Sequence, residues 1–520
     1  MMWVRTDVVI VGGGPVGLLL AAELAVHGVR TLVLEERADV SERPKATTLH
    51  ARTGQALARG GYLPAPSLPL DEGVVSTPFH FAGMWGLELT APATEPEPLF
   101  KGPQADLERL FEERVLAAGA RILRRHRVIG LDRRETGVTV TAEHSGGRTA
   151  FEAAYVVGAD GARSAVRAYS GIASDASPPT VAAMAGNVRC DGAEAPEPGW
   201  HRTPRGWVVA KRTSEGRMHL RAVDCSKAHA DHTLPLGLEE FRSETSRILG
   251  REIGMGEPRW LSRFSDFSRV ARSYRSGRVL LAGDAAHVHF PIGGQGLSTG
   301  LLDALNLGWK LALSVQGAAN RGLLDTYETE RRPAAVRVVD TVRTQVELML
   351  PENAPDSLEE LPEKAGAVDP GAELTRLAVL ISGQEINPPF HAVDPARWRG
   401  RFLQNLALMT TSGPIDLIRL LRDRRMVLVR FGEGAAGRSL RRGHVPREVV
   451  RTVWAEPVAE LPCAELLLRP DGHVAWASEH RAQVEDLARV LSGWLAPTTA
   501  RAQAEASASA ALSACSAASA

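Results

Sequence analysis

The stretch DVVIVGGGPVG at 7–17 limits what this chain can fold into more than any other. An apolar run suited to a buried strand breaks into glycines. Leu18, Leu19, Leu20, Ala21, Ala22 and Leu24 then continue with the apolar density of a packed helix. Gly28 ends that helix, and VRTLVLEE at 29–36 reads as a second strand closing on acid. Gly12, Gly14 and Gly17 stand in G-x-G-x-x-G spacing. In such a unit the first glycine makes the turn and the second lets a pyrophosphate approach. The third lets helix pack on strand. Glu35, at the end of the second strand, is placed to take a ribose hydroxyl. Glycines, both flanking strands and the acid together predict a dinucleotide-binding, Rossmann-like unit.

Two later stretches share this grammar. RVLLAGDAAHVHFPIGGQGLSTGLLDALNLGWKL at 278–311 reads as strand, turn, glycine-rich loop and helix. Val279, Leu280, Leu281 and Ala282 supply the strand, and Gly283 and Asp284 end it. Pro291, Gly293, Gly294 and Gly296 keep the loop free of bulk, and Leu301, Leu302, Leu305, Leu307, Trp309 and Leu311 give the helix its apolar positions. An acid at a strand end accepts bonds from sugar hydroxyls, and loop amides at a helix N-terminus hold an electron-rich ligand. YVVGADGARSAVR at 155–167 is another strand running into Gly-Asp-Gly, with basic residues beyond.

Between these stretches, residues 37–60 are polar; Arg43, Lys45, His50 and Arg52 read equally as phosphate contacts or as a solvated face. An amphipathic helix is expected at 104–118, with Leu107, Leu110, Phe111, Val115 and Leu116 apolar. Strands are expected at 121–129 and 137–143, with a hairpin turn at Gly146-Gly147. From 172 to 272 the pattern alternates, as in GWVVAKR (206–212) and RMHLRAV (217–223), predicting an antiparallel sheet with one helix near 237–249. Residues 351–371 read as a linker. A third unit spans 372–497, with strands in MVLVRF (426–431) and LLLRPDGHVAWAS (466–478) and a helix at 480–495. The Ala/Ser tail at 498–520 reads as disordered.

Other chemistries lose ground on composition. The 61 basic and 61 acidic side chains balance, so no electrostatic case exists for nucleic acid or an anionic membrane as partner. No apolar run reaches membrane-spanning length. The strand pattern begins by Asp7, leaving no room for a signal peptide, so a cytoplasmic location is expected. Cys190, Cys225, Cys463 and Cys515 lie far apart with no CxxC, which favours neither zinc nor disulfides. Cys463 has no partner for redox work. His287 and His289 lack a third ligand, so no metal is expected, and they read as polar loop residues near a substrate mouth. There is no G-x-S-x-G elbow for a hydrolase.

Taken in order, GGGPVG (12–17), GADGARS (158–164) and GDAAHVHFPIGGQG (283–296) resemble the single-component FAD-dependent aromatic hydroxylases of the para-hydroxybenzoate hydroxylase superfamily, over residues 1 to about 350. The third unit resembles the thioredoxin-like tail of the aromatic polyketide hydroxylases of angucycline, anthracycline and tetracycline type. Phenol hydroxylases and a rifampicin-modifying monooxygenase have related layouts. The resemblance implies an α/β fold. A Rossmann-like FAD-binding domain would comprise 1–75, 104–171 and 273–350, and an inserted antiparallel-sheet substrate domain 76–103 and 172–272. The thioredoxin-like domain would be 372–497.

The same resemblance implies the site. Gly12, Gly14, Pro15, Val16 and Gly17 would hold the adenosine pyrophosphate, and Glu35 and Glu36 the ribose side. Lys45 and Gln104 would contact FAD, and Asp160 would serve both FAD and the reduced nicotinamide. Gly283 and Asp284 would meet ribityl or pyrophosphate-side hydroxyls. Pro291, Gly293, Gly294, Gln295, Gly296 and Leu297 would face the isoalloxazine. No protein group acts as nucleophile; FAD, reduced by NAD(P)H, carries the chemistry with O2, and the product is a hydroxylated polycyclic phenol in antibiotic biosynthesis. A homodimer is in keeping with this group.

The chain departs from the pattern in three places. Glu36 follows the ribose acid where many relatives carry Arg, with Arg37 one later. Lys45 stands where relatives carry Arg, and Lys cannot form a bidentate fork. Gly296-Leu297-Ser298-Thr299 replaces Gly-Met/Leu-Asn-Thr, with Ser298 expected to cap the helix. The active site is expected between the first domain and the 172–272 sheet, with Phe264, Phe267 and Trp207 as lining or core. Baeyer–Villiger or ring-opening flavin oxygenases, antibiotic-inactivating or phenol-type monooxygenases, an NAD-only dehydrogenase and a non-catalytic flavin-binding protein are the alternatives.

Overall fold

The glycine turn at 12–17 forms where strand and helix press closest. In the computed structural model, strand Trp3–Val11 lies parallel to Gly147–Gly158 on one side and to Thr31–Leu34 on the other. Val279–Leu281 extends the sheet next to Gly147–Gly158, and Arg121–Leu123 extends it next to Thr31–Leu34, both parallel. Val8, Val9, Ile10, Val156, Val157 and Leu280 are wholly buried, as a parallel sheet covered on both faces requires. Helix Pro15–Val26 starts with Pro at its first turn and packs on helix Gln295–Val315. A Cβ at Gly17 would stand 2.1 Å from the Gly12 carbonyl oxygen, so only glycine permits this packing.

The structure describes residues 3–496 except 43–44, 191–194, 227–233, 321, 362–368, 386–399, 433–447, 459–462 and 479–483. Arg43, Cys515, the tail at 498–520, part of the expected linker and the start of the expected 480–495 helix lie outside the described residues.

The expected strand at 121–129 is two strands, Arg121–Leu123 and Arg127–Arg133, because Arg125 takes a φ of 58° and breaks the extended run. Helix Gln104–Ala117 buries Phe111 and Val115, but Leu116 is exposed. The hairpin after strand Val138–His144 turns at Ser145 and Gly146, one residue earlier than the glycine pair suggests.

The alternating region forms a five-stranded antiparallel sheet in the order Gly199–Thr203, Gly206–Arg212, Met218–Asp224, Ala182–Cys190, Met255–Ser265. Helix Leu238–Leu249 covers one face through Phe241 and Ile248. The other face is left for the space described below. Hairpin Val74–Phe81/Met84–Pro92 shares an apolar cluster with helix Asp325–Met349 and helix Pro370–Ser382. Residues 372–382, read from sequence as the opening of the third unit, thus pack against Met84–Pro92 through Leu377, Ala378 and Ile381.

A second mixed sheet, Gly413–Asp416, Ala407–Thr410, Val450–Pro457, Met426–Phe431, Glu465–Leu468, Val474–Ser478, makes up the C-terminal region with helix Val484–Trp494. Trp309 of the long helix Gln295–Val315 enters its core beside Met426, Leu428 and Trp476. A buried ionic network bolts the two regions together. Arg469 donates to Glu330 at 3.0 and 2.8 Å and also bonds Asp471. Lys310 Nζ stands 2.8 Å from Glu330, and Trp309 Nε1 donates to Asp471 at 3.3 Å. Burial pushes the Glu330 carboxyl up, but Arg469 and Lys310 outweigh it and hold it down to about 2.

Removing one member of such a network leaves buried charges without partners, at a cost of about 3–5 kcal/mol. Glu330→Ala strips the shared acceptor from both Lys310 and Arg469. It is expected to lower the urea midpoint by that amount of stability, and a midpoint within error of the parent would show that the network is not holding the regions together.

Candidate functional site

Three parallel strands end level with one another. Val11 pairs with Gly158 and with Leu34, and Gly158 pairs with Leu281. The turns that follow are tied in sequence: Gly12 N donates to Leu34 O at 2.8 Å, Ala159 N to Val11 O at 2.8 Å, and Ala282 N to Gly158 O at 2.9 Å. All three glycine/aspartate turns therefore open on the same sheet edge, onto a cavity of about 1170 Å³. Sites for one small molecule usually span roughly 300–1,000 Å³, so this space suits a dinucleotide and a second molecule together.

Of the residues singled out from sequence, Gly12, Gly14, Pro15, Val16, Glu35, Glu36, Lys45, Gln104, Asp160, Asp284, Pro291, Gly293, Gly294, Gly296 and Leu297 line this cavity. Gly17, Gly283 and Gln295 do not. Gly17 is consumed by helix packing, and a Cβ on Gly283 would press on Val16 at 3.0 Å. Gln295 turns the other way: its amide nitrogen lies 3.4 Å from the Leu380 and Ile381 carbonyls, inside the core.

The acids are held differently from one another. Glu35 accepts from Gly13 N at 2.6 Å and from Arg37 N at 2.8 Å, which fixes its carboxylate at the cavity wall. Asp160 accepts from Val166 N at 3.1 Å through Oδ2, while its buried Oδ1 has no partner among the described residues. Burial raises the Asp160 pKa, opposed by its hydrogen bonds to Ser164 and backbone amides. Asp284 is exposed at the start of a short 3-10 turn, Gly283–Ala285. Behind that turn Asp303 accepts from Gly283 N at 3.1 Å, from Arg331 Nε at 2.8 Å and from His287 Nε2 at 2.7 Å. Burial works against the Asp303 charge, but His287 and Arg331 keep its carboxyl below the usual range.

His287 is therefore a core residue, 1% exposed, and not a polar group at a substrate mouth. His289 does line the cavity. Its Nδ1 stands 2.8 Å from the Phe290 carbonyl, so Nδ1 carries the proton and Nε2 is left as an acceptor. Ser298 does not cap the helix: Gly294 holds that position, and Ser298 Oγ accepts from His50 N at 3.1 Å one turn inside. His50 is spent on the loop itself, with Nε2 2.7 Å from the Gly293 carbonyl. Arg52 points away, donating to Gln384 O at 2.6 Å and lying over the Phe402 ring. Trp207 is core, its indole donating to Met349 O at 2.8 Å, whereas Phe264 and Phe267 line the cavity.

The sequence reading missed several lining groups. Arg37, His126, Arg127 and Arg163 also line the cavity. Phe79, His80, Trp200, His219, Arg221 and Trp260 wall it on the hairpin and the antiparallel sheet. Alternation within 199–224 and 255–265 was the signal that would have found the sheet residues. Among the described residues no three His, Cys, Asp or Glu side chains gather as a metal requires. Cys463 is a free thiol, and burial pushes it up to about 11. No helix among the described residues is long and apolar enough to cross a membrane.

Comparison with known proteins follows this geometry closely. Residues 5–342 match the family model of the FAD binding domain, and 396–498 match that of the aromatic-ring hydroxylase C-terminal region. The chain is 35% identical to the 12-dehydrotetracycline 5-monooxygenase/anhydrotetracycline 6-monooxygenase of Streptomyces rimosus subsp. rimosus, over 95% of this chain and 99% of that one. It is 35% identical to the rifampicin monooxygenase of Streptomyces venezuelae over the same shares. Among solved structures, the OxyS anhydrotetracycline hydroxylase from Streptomyces rimosus superposes with a TM-score of 0.83 at 33% identity, covering 95% of this chain and 99% of that chain.

Asp284 is the exposed acid at the end of the third turn, free to accept from a hydroxylated ligand. Asp284→Ala is expected to weaken FAD binding by about 2–4 kcal/mol, the worth of one or two charge-assisted hydrogen bonds. Flavin content after gel filtration measures it; a variant that emerges with full flavin would remove Asp284 from the site.

Proposed function

This chain belongs to the FAD-binding-domain family with an aromatic-ring hydroxylase C-terminal region, and we propose that it hydroxylates a polycyclic aromatic phenol of polyketide type with O2 and NAD(P)H. It is an FAD-dependent monooxygenase. One observation carries the substrate reading: the cavity that holds the three glycine/aspartate turns runs on, without a break, to an aromatic-walled sheet face. A ligand flat enough to lie between Trp200, Trp260 and Phe264 then meets whatever the glycine loop presents.

The residues present fit FAD. The orphaned Asp160 Oδ1 awaits a donor, and a Cβ at Gly14 would point into open space that a pyrophosphate can fill. In this proposal Gly12, Gly14, Pro15, Val16 and Glu35 take the adenosine half, with Glu36, Lys45 and Gln104 beside it. Asp160 and Asp284 take hydroxyl donors further along, and Pro291, Gly293, Gly294, Gly296 and Leu297 face the ring. Gly17, Gly283 and Gln295 act from behind the wall. FAD, when bound, supplies the oxygen-activating redox chemistry that side chains lack.

The chain's own work is positioning and exclusion. Phe79, Trp200, Trp260, Phe264 and Ile292 keep the reacting end dry, which protects oxygenating equivalents from water. The 293–297 amides open the long helix Gln295–Val315 and favour negative charge placed there. Neutral His289 can accept a proton-bearing group through Nε2 without adding charge. A phenol suits this arrangement because its oxygen donates electrons into the ring and makes a ring carbon nucleophilic.

The finer architecture is part of the same proposal. The C-terminal sheet has a parallel pair, Met426–Phe431 and Val450–Pro457, followed by an antiparallel hairpin and a helix. That order supports a thioredoxin-like domain without a thiol pair. We begin it near residue 400, after helix Pro370–Ser382 has joined the substrate side. A cytoplasmic location accompanies the use of NAD(P)H.

The reaction itself is testable. NADPH oxidation is expected to be slow alone and clearly faster with the right polycyclic phenol. The product should gain one oxygen atom, labelled when the gas is labelled. A new oxygen drawn from labelled water would overturn the mechanism, and a lactone would replace hydroxylation by a Baeyer–Villiger outcome.

A further inference from the structure

Two successive residues of one strand, Phe79 and His80, both line the cavity. A regular strand does not allow this, because consecutive side chains leave on opposite faces. The register of hairpin Val74–Phe81/Met84–Pro92 accounts for it. Phe79 is matched to Leu87 and His80 to Trp85, so Gly86 is an extra residue in the partner strand. Gly86 takes a φ of 134°, open to glycine and strained for other residues. A bulge of this kind twists the ladder and re-aims side chains beside it. Here the Phe79 and His80 rings stack at 4.6 Å with 16° between their planes.

The hairpin is tied to both walls of the site. Ala82 N, in its turn, donates to Gln345 Oε1 at 3.2 Å, and a Cβ at Gly83 would stand 2.8 Å from the Trp200 ring. Phe79 meets His50 edge-on at 5.4 Å, and His50 Nε2 lies 2.7 Å from the Gly293 carbonyl of the glycine loop. The His80 ring is thus set between the loop and the antiparallel sheet, against Phe79 and with Trp200 4.8 Å away. It makes no hydrogen bond with any described residue. Nδ1 is closed off from solvent, so the edge of this half-buried ring that fronts the cavity is the Nε2 edge. Burial first, then His50 and Lys101, hold His80 down to about 4, which keeps the imidazole uncharged at neutral pH. His219 also lines the cavity, but it shares a row with Asn187 and Trp260. That row lies four residues of strand, about 13 Å, from the row of Phe264, which stacks on Phe290 beside the loop.

We propose that His80 is a specificity-determining residue whose Nε2 is the hydrogen-bond partner of the substrate's phenolic hydroxyl. Phe79, Phe264 and Ile292, which share the cavity, offer no hydrogen bond. A flat apolar ring that displaces water from Nε2 therefore leaves a polar atom unpaired, whereas a ring with a hydroxyl at that point restores the bond. A hydroxyl both gives and takes, so it serves either tautomer of the neutral imidazole. The ring needs no reorganisation to bind, because Phe79 and Trp200 already hold it. A phenol directs electron density to carbons near its own oxygen. Fixing that oxygen beside His50 and Gly293 brings the activated carbons to the loop rather than to the far end of the sheet. The inference rests on the cavity being the site of an FAD monooxygenase, and it adds which protein group meets the phenol.

The test uses the FAD-loaded full chain and two matched probes, 2-naphthol and 2-methoxynaphthalene, with binding followed by the flavin spectrum at neutral pH. The parent is expected to favour 2-naphthol by ~5-fold or more, the worth of one hydrogen bond between neutral groups. His80→Phe keeps a flat ring against Phe79 and Trp200 but removes both nitrogens. It should bring the two probes to within about twofold of each other, while 2-methoxynaphthalene affinity and flavin content stay as in the parent. His80→Gln, which restores a polar group without the ring, should recover part of the preference. A yellow parent that binds both probes alike, or neither, overturns the assignment, a result that needs no variant to fold. A preference that survives in His80→Phe overturns it too. A parent that takes up no FAD overturns the hydroxylase reading itself.

Discussion

The close approach of the Gly12 turn to the neighbouring strand sets everything else in the site. A Cβ at Gly12 would sit 2.3 Å from the Ala159 carbonyl oxygen, and Gly12 takes a φ of 108° that side chains rarely adopt. With glycine there, the ends of Trp3–Val11 and Gly147–Gly158 come level and their turns share a carbonyl-to-amide bond. Val279–Leu281 then inherits the same register from Gly147–Gly158. A methyl group at one position would thus displace three turns, since strand register moves as a unit.

Polar groups buried behind the turns keep that register rigid. Asp303 gathers Gly283 N, His287 and Arg331 into one bonded set. Glu330, one residue before Arg331 on the same helix, faces the C-terminal region and gathers Lys310 and Arg469. Helix Asp325–Met349 therefore carries adjacent charges to two different neighbours, the third turn and the C-terminal sheet. Buried networks stabilise only when complete, because each unpaired member brings a desolvation cost larger than a neutral hydrogen bond restores. That requirement links the turn's position to the seating of the C-terminal region.

The legible parts of this chain were the local ones. Strand, glycine turn and helix are encoded within a dozen residues, and Gly12, Gly14 and Glu35 meet at the cavity as their spacing implied. What depended on distant partners was invisible. His287 reads as a loop histidine until Asp303, on the next helix, is seen to claim it. Gln295 sits among lining glycines in sequence, yet the helix it opens turns it toward Leu380 and Ile381. Ser298 reads as a cap, but two positive-φ glycines, 293 and 294, start the helix earlier and leave Ser298 for His50. Trp200, Arg221 and Trp260 belong to three strands whose register no single stretch reveals. Helix Pro370–Ser382 follows a linker-like composition, and only its partners in the hairpin cluster show which side it serves.

The two walls of the cavity come from different sheets, and a small third sheet joins them. Strand Ser174–Ser177 leads into the inserted region and pairs with Ser268–Ala271, which leads out of it. Ser268–Ala271 pairs in turn with His287–Val288, the segment between the third turn and the glycine loop. Val270 is matched to His287 and Arg269 to Val288. His287 is also the residue that Asp303 holds. Both strands that tether the antiparallel sheet are therefore registered against the base of the glycine loop, and Arg167 adds a bond to the Ala285 carbonyl at 2.7 Å. The ladder bonds thus tie the position of the aromatic-walled sheet to that of the loop. The parallel sheet supplies turns and acids, the antiparallel sheet supplies a flat face, and this three-stranded junction fixes the distance between them.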